Sequence, residues 1–371
     1  MKPYGIPVER INQGKAIIAP THLAWENENT CNAAAVYLER GAHNDEVIRG
    51  LLERETLDGL PDGVVAVHYR AISAKDSGHP VPFSSTGLAV FTPDFRLLRR
   101  FTRPVLTPSA EEDSFDYFGI EDPRITRIDN TFYMLYCGPH LNADHTLKTR
   151  LCLATSMDLI HWEKKGPIPG GPDRWNNKDG VLFPQPIDGR YYLLHRPWGD
   201  DRPVDDFSIW LASSRSLLGE WEEHGEILHS YTIPGCRASW VGAGSVPIAL
   251  GEKRFLVIYH TGNYLMGNDR EYDVGAALFD FNRFTPQKPG AVMVSRVEPL
   301  MAPETPCERR VLPQYGQLDV IFPCGSYQYQ GFIYMVYGAS DIYVAAARVN
   351  QQALVAALEK AGLENPYLRN A

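Results

Sequence analysis

The sequence has little that would suit a metal centre, a disulfide framework, a membrane span or a nucleic-acid partner. Its six cysteines show no C-x-x-C spacing, so we expect neither zinc nor disulfides. No apolar run approaches the roughly 20 residues of a membrane span, and no secretory signal is evident at the start. We therefore expect a cytoplasmic protein without a membrane partner. The formal charge of -9 argues against a nucleic-acid partner.

Helical patterns are also scarce. One amphipathic stretch near residues 44–55 has Asn44 as its predicted cap, and another near residues 350–362 has Asn350. Both are expected to be packing or assembly decorations. Because Pro-rich and Ser-rich linkers are absent, we expect a single domain over residues 1–371. The first helix is an insertion that could dock a neighbouring subunit, which leaves a homo-oligomer open.

A repeated strand pattern dominates what is present. Five segments rich in Tyr, Val, Ile and Leu are predicted to be strands. They cover residues 64–71, 132–138, 191–197, 255–262 and 332–340. Each is followed by an alanine-bearing strand, and these alanines recur roughly 60 to 70 residues apart, a spacing typical of repeat architectures.

Each repeat is predicted to contain about four strands. A strand with polar residues at its start precedes the Tyr-rich strand, and an outer strand follows in at least two repeats, where Trp162 and Trp221 mark it. Four-stranded units repeated around an axis form a propeller. We therefore predict an all-β fold, a five-bladed β-propeller with short helical decorations.

Polar residues at the ends of the inner strands are expected to converge on the propeller axis. They are Asn32, Arg70, Asp122, Arg124, Lys178, Asp179, Arg196, His260, Asp319 and Asp341. The cations among them indicate an anion or a polyhydroxylated ligand. The alternative is that strand ends meet solvent and are polar for that reason alone.

Aromatic residues near the same strand ends could stack on sugar rings. They are Trp175, Trp198, Trp240, Tyr231 and Tyr264. His195 and Arg196 are consecutive on a strand, so only one of them can face the channel, and we expect Arg196 to do so. The loops at 200–206 and 266–271 carry no readable pattern, although acceptor choice is expected to depend on them.

The segment Glu121-Asp122-Pro123-Arg124 places two carboxylates and a guanidinium within an otherwise apolar stretch. Pro123 restricts the backbone of Asp122, so this acid is held on a stiff chain. Burial would favour a protonated Asp122 and a nearby Arg124 would favour the ionised form. We therefore expect Arg124 to face away from the working oxygen of the acid.

Eight segments together resemble the signatures of glycoside hydrolase family 130. In order they are GIEDPRI, KDGVLFP, LHRP, GAGSVPI, VIYHTG, DVGAALFD, VIFPCG and YGASD. The resemblance implies a five-bladed propeller acting on β-mannosides, as an inverting phosphorylase or, in some members, a hydrolase.

The resemblance also implies roles for individual residues. Asp122 matches the catalytic acid, which is thought to protonate the glycosidic oxygen through a mannosyl hydroxyl. The positions that match mannose-binding residues are Asn32, Arg70 and Asp341, and those that match phosphate-binding residues are Lys178, Arg196 and His260. Further substrate contacts are predicted for Glu121, Asp179, Trp240 and Asp319. Trp240 stands where phosphorylases tend to have a basic residue, which would weaken a phosphate site.

Two reactions remain open at this stage. An inverting hydrolase needs a second carboxylate to activate water, and Asp179 and Asp319 are the candidates. A phosphorylase needs cations that orient phosphate instead. The three matched cationic positions favour cleavage of β-1,2- or β-1,4-mannosides by inorganic phosphate, giving α-mannose 1-phosphate without a cofactor. Another propeller glycosidase and a non-catalytic sugar-binding propeller are the remaining alternatives.

Overall fold

The protein is mostly β-structure, and most neighbouring strands are antiparallel. The computed structural model describes residues 5–74, 83–142, 146–199, 207–230, 236–265, 267, 269–312 and 316–364. The five predicted Tyr-rich strands are all present, with bounds that differ by a few residues at most. The enrichment in Tyr, Val, Ile and Leu therefore located these strands correctly.

The first half of the chain forms three four-stranded antiparallel sheets after a short strand β1 (Val8–Arg10). The first sheet contains β2 (Asn29–Leu38), β3 (Val64–Ile72), β4 (Ser84–Phe91) and β5 (Leu97–Arg100). The second contains β6 (Glu121–Ile128), β7 (Thr131–Leu141), β8 (Leu147–Ser156) and β9 (Glu163–Pro167). The third contains β10 (Asn176–Leu182), β11 (Tyr191–Trp198), β12 (Ile209–Ser214) and β13 (Glu222–Leu228).

The second half repeats this pattern twice within one larger sheet. Its strands are β14 (Ala238–Ala243), β15 (Ile248–Gly251), β16 (Arg254–Tyr264), β17 (Arg270–Asp280), β18 (Met293–Met301), β19 (Arg309–Leu312), β20 (Gly316–Tyr329), β21 (Phe332–Ala339) and β22 (Tyr343–Asn350). Strands β14, β16, β17 and β18 form one antiparallel group, and β20, β21, β22 and β1 form the other. The two groups join through a short parallel pairing of β17 with β20.

Hydrophobic clusters pack each four-stranded group against the next one. The first sheet packs on the second, the second on the third, the third on the β14 group, and that group on the β20 group. A further cluster joins the β20 group back to the first sheet through Tyr327, Tyr334, Val67 and Tyr69. The core thus lies between sheets that pack in cyclic order.

Two α-helices lie outside these sheets: α1 (Ala42–Leu52) and α2 (Gln351–Glu364). The prediction that Asn44 caps the first helix is wrong, because the helix already begins at Ala42 and Asp45 accepts the backbone N–H of Gly41 at 3.1 Å. Asn350 does cap α2, accepting the Ala353 N–H at 2.9 Å. Among the described helices, none is long and apolar enough to cross a membrane.

The apolar face of α1 is buried within the chain itself. Val47, Ile48, Leu51 and Leu52 belong to the cluster between the first two sheets. This helix is therefore a packing element of its own subunit.

Candidate active site

Three inner strands carry the same backbone irregularity at corresponding positions. Asn32 in β2, Asp122 in β6 and Asp179 in β10 have positive φ angles of 45°, 51° and 57°. Each lies at a shift in the strand register that marks a bulge. Bulges re-aim side chains, and left-handed backbone in non-glycine residues is a strained state found at functional sites. All three side chains are buried.

Asp122 lies in a cluster that is rich in carboxylates. Its Oδ1 accepts hydrogen bonds from Asn32 Nδ2 at 2.8 Å and from Arg70 Nη1 at 3.4 Å. Arg70 also forms an ion pair with Glu121. Within the described residues both side-chain hydrogen bonds of Asp122 go to Oδ1, and Oδ2 has no hydrogen-bond partner there.

Asp341 approaches this cluster from the loop between β21 and β22. Ser340 and Asp341 both have positive φ, and the Thr30 N–H holds the loop by donating to the Ile342 carbonyl at 2.8 Å. Burial raises the pKa of Asp341, while the charge of Arg70 lowers it and that of Asp122 raises it. We call Glu121, Asp122 and Asp341 around Arg70 the acidic cluster.

A second cluster has the opposite composition and surrounds Asp179. Its Oδ2 accepts from Arg196 Nε at 2.6 Å and its Oδ1 from Arg124 Nη2 at 3.2 Å. Burial opposes ionisation of Asp179, but Arg196, Arg124 and Lys178 together hold its pKa well below the ordinary value. We call Arg124, Lys178 and Arg196 around Asp179 the basic cluster.

Arg124 links the two clusters and is almost completely buried. Its Nη1 donates to the backbone carbonyl of Asp122 at 3.1 Å, and its Nε donates to the Gly244 carbonyl at 2.7 Å. These bonds agree with the expectation that Arg124 turns away from the Asp122 carboxyl group. The guanidinium fixes the bulged strand β6 against its neighbours.

His260 lies beside the basic cluster and is fully buried. Its Nε2 is 3.7 Å from Asp179 Oδ2, and its ring packs on Phe322 with centroids 4.3 Å apart. Burial lowers the pKa of His260 to about 3, despite the opposing charge of Asp179. Among the described residues, neither ring nitrogen has a hydrogen-bond partner. A neutral imidazole with one free N–H can donate to a ligand.

The remaining cations are placed by aromatic rings and strand pairing. Lys178 lies directly opposite Arg196 in the β10–β11 pair, and its Nζ is 4.6 Å from the centroid of the Trp198 ring. Lys178 is only half-buried, so its ammonium is accessible. His195, in contrast, contacts Asn177 at 2.9 Å on the other face of β11. His195 and Arg196 therefore point to opposite faces of the strand, as expected for consecutive residues.

Gly242 gives the basic cluster room. A Cβ at this position would lie 2.3 Å from Asp179 Oδ2 and 2.4 Å from His260 Cε1. Real Cβ atoms do not approach so closely, and both neighbours are fixed by packing. The glycine of the GAGSVPI segment is therefore required by the close approach of Asp179 and His260.

Trp240 and Asp319 are less directly connected to the two clusters. Trp240 is buried against Gly262 and packs on Tyr264 and Tyr272, with centroids 5.0 and 5.4 Å apart. Asp319 is bonded to Gln317 and lies 3.6 Å from Arg309. Substrate contact by these two residues remains a prediction.

Sequence reasoning missed two aromatic residues beside the basic cluster. Phe322 stacks on His260, and Tyr272 lies between Trp240 and Phe322. Both alternate within strand patterns and so were indistinguishable from core residues. Tyr231 and the loop at 200–206 lie outside the described residues, as do Met266 and Asn268 of the second loop.

Comparison with known proteins finds relatives that are named as mannoside phosphorylases. A family profile described as beta-1,4-mannooligosaccharide phosphorylase matches residues 88–360. A 1,2-beta-oligomannan phosphorylase of Thermoanaerobacter sp. (strain X514) is 30% identical over 92% of this chain and 97% of its own length. A beta-1,2-mannobiose phosphorylase of the same organism is 32% identical over 91% and 96%.

A solved structure has the same fold over nearly the whole chain. Beta-1,2-mannobiose phosphorylase from Listeria innocua superposes with a TM-score of 0.71, at 22% identity, covering 96% of this chain and 100% of the other.

Proposed function

Because the chain belongs to glycoside hydrolase family 130, we propose that it is an inverting phosphorylase of β-1,2-linked mannosides. Its substrates are a manno-oligosaccharide and inorganic phosphate, and its product is α-mannose 1-phosphate. The basic cluster is the observation that carries this proposal, since three cations gathered around one carboxylate leave excess positive charge for an anion. The names of the two Thermoanaerobacter relatives support the β-1,2 linkage.

The chemistry divides between the two clusters. Phosphate binds at Lys178, Arg196 and the neutral N–H of His260, and one of its oxygens attacks the anomeric carbon. The glycosidic C–O bond breaks on the opposite face of the ring, so the configuration inverts. Asp122 supplies the proton that the departing oxygen needs, through a mannosyl hydroxyl, and becomes a carboxylate that Asn32 and Arg70 stabilise.

The geometry of Asp179 argues against the hydrolase alternative. A general base needs an oxygen that can accept a proton from water. Both oxygens of Asp179 accept from guanidinium groups, and the side chain is fully buried. Asp319 is bonded to Gln317 on β20. Phosphate requires no base, because it is already an anionic nucleophile.

We also propose that the five four-stranded groups are the blades of a propeller. The cyclic order of the hydrophobic clusters supports this arrangement, because the last group packs on the first. Strand β1 completes the last group from the other end of the chain by pairing with β22. The inner strands β2, β6 and β10 then direct their bulges toward one axis.

The test is turnover of β-1,2-mannobiose with and without inorganic phosphate, with the product identified by NMR. The proposal predicts that turnover requires phosphate and that the first-formed product is α-mannose 1-phosphate. Free mannose released equally fast without phosphate would show a hydrolase. β-1,4-Mannobiose in a parallel assay checks the linkage.

A further inference from the structure

Two arginines at the outer end of the site have no carboxylate partner among the described residues. Arg270 in β17 and Arg310 in β19 are half-buried, and both pair in register with Leu318 of β20. Residues directly opposite on neighbouring strands share a face. The two guanidinium groups therefore flank Leu318 on one side of the sheet. We call Arg270 and Arg310 the arginine rim.

The arginine rim lies on the same face of the sheet as His260, one of the three phosphate-binding candidates. Val274 is opposite His260, Tyr272 is opposite Gly262, and Arg270 is opposite Tyr264. Arg270 is thus four residues from Val274 along β17, about 13 Å at the usual rise of a strand. That distance is comparable to the length of a disaccharide. Exposure increases along this line, because His260 is buried whereas Arg270 is half-buried.

Electrostatic effects place the arginine rim close to the substrate side of the site. Arg310 and Arg270 both act to lower the pKa of Asp341, against the larger effect of burial. Burial raises the pKa of Tyr272, and this hydroxyl also feels the charges of Asp341, Arg196 and Arg270. Along β17, Tyr272 lies between Arg270 and Val274, and its ring centroid is 6.1 Å from that of His260.

An aromatic stack orients Arg270. Its guanidinium carbon is 5.0 Å from the centroid of Tyr264, and Tyr264 packs on Trp240. A stacked guanidinium keeps its edge free for hydrogen bonds, and two such edges suit the planar oxygens of a carboxylate or a phosphate. Uncharged sugar hydroxyls can be bound without guanidinium groups. Two guanidinium groups that lack a carboxylate partner among the described residues therefore favour an anionic ligand.

We propose that the arginine rim binds an anionic group on the leaving sugar, so that the preferred acceptor in the synthetic direction carries a carboxylate or a phosphate. This inference rests on the proposed phosphorylase function. The expected substrates therefore have an anionic leaving sugar, unlike neutral manno-oligosaccharides.

The experiment measures synthesis from α-mannose 1-phosphate with three acceptors: mannose, mannuronate and mannose 6-phosphate. The wild-type protein is expected to use at least one anionic acceptor about tenfold better than mannose in kcat/KM, with the preference falling as salt rises. The two anionic acceptors distinguish a carboxylate from a phosphate. The R270Q and R310Q variants are each expected to reduce the ratio of anionic to neutral acceptor use, and the double variant to bring it near one.

Arg237 provides the matched control. It also stacks on Tyr264, at 5.4 Å, but it is exposed and lies outside strands β17, β19 and β20. R237Q should keep the wild-type ratio. A wild-type preference for mannose, or an anionic preference that survives in the double variant, overturns the inference alone. Failure to release phosphate with any acceptor overturns both the inference and the proposed function.

Discussion

The acidic cluster and the basic cluster meet at Arg124, but their compositions are opposite. Carboxylates outnumber cations in the acidic cluster, whereas cations outnumber carboxylates in the basic cluster. In the acidic cluster, Glu121 and Asp122 contact the single guanidinium of Arg70, and Asp341 is near enough to feel it. In the basic cluster, three cations surround Asp179. Excess carboxylate favours retention of a proton, whereas excess cation favours capture of an anion. Under the proposed mechanism, the bulge at Asp122 serves proton transfer and the bulge at Asp179 serves phosphate binding.

The two clusters also differ in how tightly they are closed. The side chains of Arg70 and Glu121 are each 21% exposed, whereas those of Arg124 and Asp179 are at most 1% exposed. A partly open acidic cluster can admit a sugar ring. The basic cluster is instead fixed in advance, with Lys178 as its accessible cation.

The largest effect is expected from removing the acid without changing its shape. Asp122→Asn should lower kcat for phosphorolysis by about 10³-fold, since general acid catalysis contributes roughly 10² to 10⁴. Binding of phosphate should remain, because the basic cluster is intact. Initial rates at saturating phosphate measure the effect, and unchanged turnover would remove Asp122 from the mechanism.

The next largest effect should come from breaking the basic cluster at Arg196. Arg196→Gln leaves Asp179 buried with one guanidinium fewer, which should cost about 3–5 kcal/mol of stability and raise KM for phosphate more than KM for the mannoside. Urea unfolding and phosphate saturation curves measure both.

The matched control for Arg196 is Arg190→Gln. Arg190 pairs with Glu222, whose side chain is 61% exposed, so its loss should cost about 0–1 kcal/mol. Equal losses in the two variants would contradict the account of the basic cluster.

A smaller effect is expected from crowding the basic cluster without changing its charge. Gly242→Ala places a methyl group against Asp179 and His260, so stability should fall by about 1–3 kcal/mol and phosphate should bind more weakly. Gly50→Ala, in the exposed face of α1 with no atom near the new methyl, should not destabilise. If Gly242→Ala lowers stability no more than Gly50→Ala, then the close approach of Asp179 and His260 does not require glycine at position 242.

Lowering the pH should have an effect no larger than that of Gly242→Ala. His260 has a folded pKa of about 3 against 6.5 unfolded, so the unfolded state binds the proton first as pH falls. The stability from a neutral His260 is therefore complete above pH 6.5 and declines below it, by about 2 kcal/mol at pH 5. His260→Asn should flatten the profile of unfolding free energy between pH 7 and 5.

The strands and the residues of both clusters could be predicted because each signal is local. Segments rich in Tyr, Val, Ile and Leu marked the strands, and polar residues at strand ends marked Asn32, Asp122 and Asp179. Their partners could not be predicted in the same way, since the bond from Arg124 to Asp179 joins residues 55 apart in sequence. Asp179 was a candidate base from the sequence, but in the structure it lies at the centre of a cluster of cations. These contacts depend on how the sheets pack and are not visible in the local sequence.

The arrangement of the later strands was also beyond local signals. The parallel pairing of β17 with β20 depends on how two repeats meet, and the arginine rim follows from that pairing. No single-strand pattern distinguishes Arg270 from the other arginines of the chain.

The most direct test of the division between the clusters is equilibrium binding of inorganic phosphate to the wild-type protein, Asp122→Asn and Arg196→Gln, followed by calorimetry without a mannoside. We predict saturable binding to the wild type, equal affinity in Asp122→Asn, and a loss of tenfold or more in Arg196→Gln. Absence of saturable phosphate binding to the wild type, or equal weakening in both variants, would contradict the claim that the basic cluster is a separate anion site.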